Sequence, residues 1–116
     1  MVSPRPIEQR DGLEIVDNAA GHRYEALLDG EPAGLIDYLP REGWMILDHT
    51  EVLPGFEGRG IAARLAKAAL DDVRARGLFV TPTCPFVAAY VNRHPEYADL
   101  VVGVRGPRGR TGPSST

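Results

Sequence analysis

The stretch that most constrains this chain is "EVLPGFEGRGIAARLAKAALDDVRARGLFV", Glu51 to Val80. An apolar run ends at Leu53, and glycines follow at positions 55, 58 and 60. Apolar residues then recur at i, i+4 spacing (Ile61, Leu65, Ala69; Ala62, Ala66, Leu70, with Val73), and Gly77 closes the pattern before "LFVTP" at 78–82. The spacing predicts a helix from Gly60 to Arg76 between two strands. Strand, helix and strand in one crossover bring the two strands parallel in one sheet, joined right-handedly.

Upstream of the crossover the hydrophobic period is two. "LEIVD" (13–17), "YEALL" ending in the turn dipeptide Asp29-Gly30, "PAGLIDYL" (32–39) and "WMILDHTEVL" (44–53) read as four strands of an antiparallel meander. On the fourth, strict alternation puts Met45, Leu47, His49 and Glu51 on one face and Trp44, Ile46, Asp48 and Thr50 on the other. Downstream, "PFVAAYVNRH" (85–94) predicts a second helix stopped by Pro95, and "YADLVV" (97–102) a short last element. The expected fold class is α+β, a minimal mixed sheet of about five strands with a βαβ crossover and two main helices. Residues 13–102 read as the domain, 1–12 (with Pro4 and Pro6) as a loose lead-in, and the Gly-, Pro-, Ser- and Arg-rich 103–116 as a disordered tail.

A chain of 116 residues buries roughly two-thirds of its unfolded surface, enough for a core without staples. The single cysteine, Cys84, excludes an internal disulfide and a Cys-rich zinc site. The three histidines (His22, His49, His94) are far apart and show no metal-ligand spacing, so no metal is expected. Serines occur only at position 3 and in the tail, which excludes a serine nucleophile in the body. No apolar run approaches the ~20 residues of a membrane span, and no basic-aromatic stripe points to nucleic acid. The N-terminus lacks the apolar segment of a secretory signal, and a soluble cytoplasmic protein is expected. Charge is unevenly spread: residues 1–57 carry 12 acidic and 4 basic side chains, whereas 58–77 carry five basic and two acidic ones.

That positive island coincides with a helix start that has no ordinary cap. Four N–H groups at a helix start lack intrahelical partners, and Glu57, Gly58, Arg59 and Gly60 offer none of the preferred Ser, Thr, Asp or Asn caps. Glycines let a ligand approach the amides, and the helix dipole favours an anion there, with Arg59 and Arg64 adding charge. A solvated face and glycine as its own cap are the plainer alternatives. "GRGIAA" formally fits a dinucleotide fingerprint, but the acidic residue required about 20 positions later is replaced by Pro82-Thr83-Cys84. A phosphate-binding Walker loop is excluded because Ile61-Ala62 stand where Lys-Ser/Thr would.

A strand, "V-x-P", a loop of the form x-G-[KR]-G-[IL]-[GA] and a long helix resemble motif A of the GNAT-superfamily N-acetyltransferases. "HTEVLPGFEGRGIAARLAKAAL", with the later "TC" and "YV", is similar to the small YjdJ-like subgroup, over about residues 22–101. The resemblance implies acetyl-CoA as co-substrate, with the amides of Gly58, Arg59, Gly60, Ile61, Ala62, Ala63 and Arg64 around its pyrophosphate. It also implies that the Val52–Leu53 backbone pairs with the pantetheine arm. Two departures stand out. Glu57 occupies the position where the family's motif usually has Gln or Arg, and a carboxylate facing a pyrophosphate repels it. The chain also lacks room for the helices between strands one and two and for a full C-terminal hairpin, which commonly shape the acceptor pocket.

Acetyl transfer needs a neutral amine, a stabilised oxyanion and a protonated leaving thiolate. A lysine-like amine is neutral only about once in 2,500 molecules at pH 7, a deficit of ~4.6 kcal/mol. His49 and Glu51, two positions apart, are the candidate bases. Cys84, next to a helix start that Pro85 opens, and Tyr90 are the candidate acids; Cys84 is also a candidate for acetylation. Each has a plain structural alternative: a satisfied histidine, an exposed glutamate, an inert buried cysteine, a core tyrosine. The expected activity is acetyl transfer to an amine by direct attack, the acidic first half favouring a cationic acceptor such as a lysine or polyamine. A non-catalytic acyl-CoA-binding module and an anion-binding domain without coenzyme remain as rivals.

Overall fold

A computed structural model of the chain describes residues 3–107. Six strands form one sheet in sequence order: β1 (Arg5–Arg10), β2 (Leu13–Asn18), β3 (Arg23–Leu28), β4 (Glu31–Arg41), β5 (Trp44–Val52) and β6 (Phe79–Pro82). The first five are antiparallel, and β6 runs parallel to β5. Helix α1 (Ile61–Ala75) makes the crossover, and α2 (Pro85–Arg93) follows β6, trailed by a 3₁₀ segment, Pro95–Leu100. The sheet face lined by Ile15, Tyr24, Ile36 and Leu47 packs with Leu65, Leu70 and Val73 of α1 and Val87 of α2 in one buried cluster. Neither helix covers the opposite face, where Arg23, Glu25, Leu35 and Asp37 are only partly buried.

The expected α+β fold with a βαβ crossover is present, with one strand more than expected. Residues 5–10 are not a loose lead-in but an edge strand. Asp11 and Gly12 have φ of 54° and 78°, matching Asp29 and Gly30 at 49° and 88°. The same Asp-Gly hairpin turn therefore occurs twice. An edge strand tolerates Pro6, whose missing N–H costs a central ladder but not an edge. The pairing with β2 shifts register between Pro6 and Glu8, and Ile7 packs against the core. Charge completes the attachment to α1: Arg5 reaches Asp72 at 3.0 Å and Glu8 pairs with Arg64 at 3.2 Å.

The residues joining β1–β4 to the end of α1 are polar. Asp17 and Asp72 are buried, yet each accepts from several donors. Tyr38 donates its hydroxyl to Asp17 at 2.7 Å and Tyr24 to Asp72 at 2.8 Å, while Arg5 and Arg76 each bond both carboxylates. Two guanidinium charges thus balance two carboxylates in a place where an unpaired charge would be costly.

The far end differs from expectation as well. Val102 N–H donates to Val80 O at 2.9 Å, and the Thr81 hydroxyl donates to the carbonyls of Val102 and Gly103. Gly106 is buried against Trp44, so close that a Cβ there would lie 2.6 Å from the indole. The start of the expected tail is therefore tied to the fold at Gly103 and Gly106, although 103–105 are exposed, and 108–116 lie outside the described residues. "YADLVV" becomes the 3₁₀ segment and a single parallel bridge from Val101 to Val80.

Candidate active site

The loop between β5 and α1 is built as its glycines demand. Gly55, Gly58 and Gly60 have φ of 92°, 79° and 72°, a region that side-chain-bearing residues rarely enter. Gly60 is the N-cap of α1, no side chain caps the helix, and its first turn holds no acidic residue. The first helical hydrogen bond is Arg64 N–H to Gly60 O, 3.1 Å. The amides of Ile61, Ala62 and Ala63 come before it and face the solvent end of the helix. A groove of about 270 Å³ opens there, lined by Gly58, Gly60, Ala62, Ala63, Val52 and Phe86 among others. Glu57 also lines it, with its carboxylate turned back to accept from Gly55 N–H at 3.0 Å.

The positive island is mostly spent within the fold. Arg64, expected at the anion, instead bonds Glu8 and the carbonyl of Arg10. Lys67 pairs with Asp71, Arg74 with Asp99, and Arg76 with Asp17 and Asp72. Arg59 is exposed and has no ion pair among the described residues. Leu53 departs from expectation too: its N–H donates to Ala33 O and its carbonyl accepts from Phe56 N–H. Its backbone is thus occupied, and its side chain lines a hollow of about 350 Å³ on the open sheet face.

Val52 and Phe86, which line this groove, lie two residues along the chain from Thr50 and Cys84, which border a notch in the sheet. β6 pairs with β5 only from Trp44 to Leu47. Both Thr83 and Cys84 then donate their N–H groups to Leu47 O at 3.0 Å, and the chain turns into α2. Residues 48–52 of β5 have no strand partner on that side among the described residues. At this point the β4–β5 register shifts, pairing Asp37 with His49 but Tyr38 with Leu47, so Asp48 is the extra residue of a bulge. A one-residue insertion exchanges the faces of everything after it. His49 and Glu51 therefore do not share the face of Met45 and Leu47: they lie on the open face, both more than half or about half exposed, 3.5 Å apart. Thr50, expected to face away, turns toward the helices and meets Cys84.

Cys84 is the N-cap of α2, 5% exposed, with its Sγ 3.2 Å from Thr50 Oγ1. Burial pushes the thiol up, but the Thr50 hydroxyl and the backbone N–H groups of Val87 and Phe86 outweigh it, leaving the thiol below its ordinary value. Tyr90 lies further along α2, stacked on His94 at 3.9 Å and tilted against Tyr97. Burial pushes its hydroxyl up, and Asp71 and Glu96 add to that shift. His94 Nδ1 lies 2.9 Å from Tyr90 O, so it finishes the helix. Sequence patterning missed Thr50 and Phe86, because only the bulge decides which residue of "DHTEV" meets the helix.

The chemical repertoire of this arrangement is a cradle of amides, a groove to a strand edge, a thiol on one side of that edge and an imidazole–carboxylate pair on the other. Among the described residues no group of His, Cys, Asp or Glu side chains is arranged to hold a metal, and no helix is long and apolar enough to cross a membrane.

Comparison with known proteins agrees with this geometry. The profile of the GCN5-related N-acetyl-transferase family matches residues 23–100. Protein NATD1 of Mus musculus is 33% identical over 94 residues, 79% of this chain and 86% of that protein. Its Xenopus tropicalis counterpart is 49% identical over 49 residues, 42% of this chain and 45% of the relative, so that match spans under half of either. Among solved structures, a GCN5-like protein of Staphylococcus aureus superposes with a TM-score of 0.60 at 22% identity, covering 82% of this chain and 93% of that one, which is a likeness of fold. With a family profile spanning the crossover, the loop and both helices, this chain belongs to the GCN5-related N-acetyltransferase family.

Proposed function

We propose that this chain transfers acetyl from acetyl-CoA to an amine by direct attack, and that it belongs to the small YjdJ-like subgroup of its family. The observation carrying the reading is continuity: one groove joins the uncapped amides of α1 to Val52 and Phe86, beside a notch that has Cys84 on one side and His49–Glu51 on the other. The amides of Ile61, Ala62 and Ala63, with Arg59, hold the pyrophosphate, and the glycines at 58 and 60 keep the approach clear. The thioester reaches the notch along Val52. A free strand edge supplies backbone N–H groups where negative charge builds on the carbonyl oxygen.

The acceptor amine comes from the open face. His49, steadied by Glu51, removes a proton directly or through water and offsets the ~4.6 kcal/mol cost of a neutral amine at pH 7. Cys84, on the helix side, supplies the proton for the leaving thiolate. Tyr90, wedged between His94 and Tyr97, is a packing residue in this reading. Glu57 is held away by Gly55 but still weakens coenzyme affinity.

The test is acetyl transfer to a panel of amines, polyamines and lysine peptides, with calorimetry of coenzyme A binding. Gly58→Val is expected to abolish binding, because the Cβ enters the pyrophosphate position and φ of 79° is disfavoured for valine. Unchanged affinity would remove the loop from the site. The alternative of a non-catalytic acyl-CoA-binding module is favoured by the sheet face that neither helix covers, where the described residues form only the hollow beside Leu53. Binding without transfer to any amine is its signature. Mass spectrometry after incubation with acetyl-CoA separates a covalent route, which would leave an acetyl group on Cys84 that the Cys84→Ala variant lacks.

A further inference from the structure

We propose that Thr50 is a positioning residue for this reaction: its hydroxyl holds the Cys84 thiol at the notch and stabilises the thiolate once the proton has left. The inference rests on the transferase reading above and adds a residue that sequence patterning placed on the wrong face. The contact joins two elements whose backbones are already fixed. Cys84 is held by its N–H bond to Leu47 O, and Thr50 by its pairing opposite Ile36. Between them Sγ and Oγ1 stand 3.2 Å apart, and no other side chain among the described residues bonds the thiol. The bulge at Asp48 is what turns Thr50 inward. Without it, strict alternation would turn His49 and Glu51 to that face in place of Thr50.

A hydroxyl suits both states of the sulfur. It accepts from S–H, and after rotation it donates O–H to S⁻, which a valine of the same shape cannot do. A β-branched side chain on a strand also has few rotamers, so the oxygen stays where the sulfur needs it. The amine nitrogen bonds to the acetyl carbon and the carbonyl pair moves to oxygen. On collapse the C=O re-forms and the C–S bond breaks with its pair on the coenzyme sulfur. The Cys84 proton passes to that sulfur, and Thr50 then donates to the Cys84 thiolate. The ammonium proton leaves through the His49–Glu51 pair to water, and water returns a proton to Cys84.

Among the described residues no charged side chain competes for this role. On β5, the Asp48 carboxylate accepts from the Thr83 hydroxyl at 2.9 Å, and His49 and Glu51 lie on the open face. On α2, Tyr90 is stacked on His94, and Arg93 sits in the last turn. On α1, which touches α2, Arg64, Lys67 and Arg74 are paired with Glu8, Asp71 and Asp99. The lowered thiol accords with this inventory, since the influences that depress it are hydrogen bonds alone.

The test titrates the thiolate by its ultraviolet absorbance in the free protein, with Cys84→Ala subtracted to remove tyrosinate. Thr50→Val is expected to raise the midpoint by about one pH unit, roughly tenfold less thiolate at pH 7, and Thr50→Ser to restore it. Thr50→Ala carries the same prediction should the valine variant fail to fold by circular dichroism. In transfer assays kcat falls and the alkaline-limb midpoint of its pH profile moves with the thiol, while KM for acetyl-CoA stays. An unchanged midpoint in both Thr50→Val and Thr50→Ala overturns the proposal and leaves the transferase reading untouched. A shifted midpoint in a protein whose parent sequence transfers no acetyl overturns the transferase reading, and with it the part assigned to Thr50.

Discussion

Strong alkali is the perturbation that reads the buried polar cluster most directly. Tyr24 and Tyr38 are buried, and each donates to a buried carboxylate. Burial first, then the adjacent Asp72 or Asp17, pushes both phenols far above the ordinary value of about 10. The unfolded chain ionises these groups near pH 10 and the folded one does not, so the unfolded state binds fewer protons and stability falls as pH rises. Each tyrosine then contributes a slope of about −1.4 kcal/mol per pH unit above pH 10. Together they remove about 3 kcal/mol by pH 11 and about 5 kcal/mol by pH 12, against a total of roughly 5–15 kcal/mol for a domain of this kind. Tyr97, raised by burial and its bond to Asp71, adds in the same direction. Tyrosinate absorbance and circular dichroism should therefore change together, in one step above about pH 11. Two phenols titrating near pH 10 with the fold intact would refute the reasoning.

Smaller tests address single contacts. Arg64→Ala removes a half-buried bond to Glu8, and should cost about 1 kcal/mol in denaturant melts while changing coenzyme A affinity less than about twofold. A tenfold loss of affinity would instead return Arg64 to the anion site. Glu57→Gln should tighten coenzyme A about threefold, the worth of one charge about 6 Å away in water, and the gain should vanish at high salt. Gly106→Val forces a side chain against the indole of the only tryptophan at φ of 85°, so the melting temperature should fall and Trp44 emission should shift. Unaltered emission would mean that Gly106 does not pack on Trp44.

Much of the framework was legible in the residues. The periodicity change from two to 3.6 at the glycine loop marked α1 to within a residue at each end, and Asp29-Gly30 marked a hairpin that the backbone makes with both residues at positive φ. The same dipeptide at 11–12 carried the same signal, and it was masked by Pro4, Pro6 and the charges around them. The uncapped helix start was legible for the same local reason: whether a side chain can cap a helix depends on the four residues before it.

What the sequence could not decide is everything that depends on partners distant along the chain. Arg64 carries the charge an anion needs, but Glu8, 56 positions earlier, pairs with it. Nothing local marks Asp17 and Asp72 for burial, and only the closure of the sheet under α1 buries them with two arginines and two tyrosines. The bulge at Asp48 is the sharpest case. Alternation along "MILDHTEV" is a local rule and fails where one extra residue is inserted against the neighbouring strand. That insertion, set by pairing with β4, put His49 and Glu51 on the open face and turned Thr50 to Cys84. Local propensity thus determined the elements and the loop, while long-range pairing decided which side chains share the site.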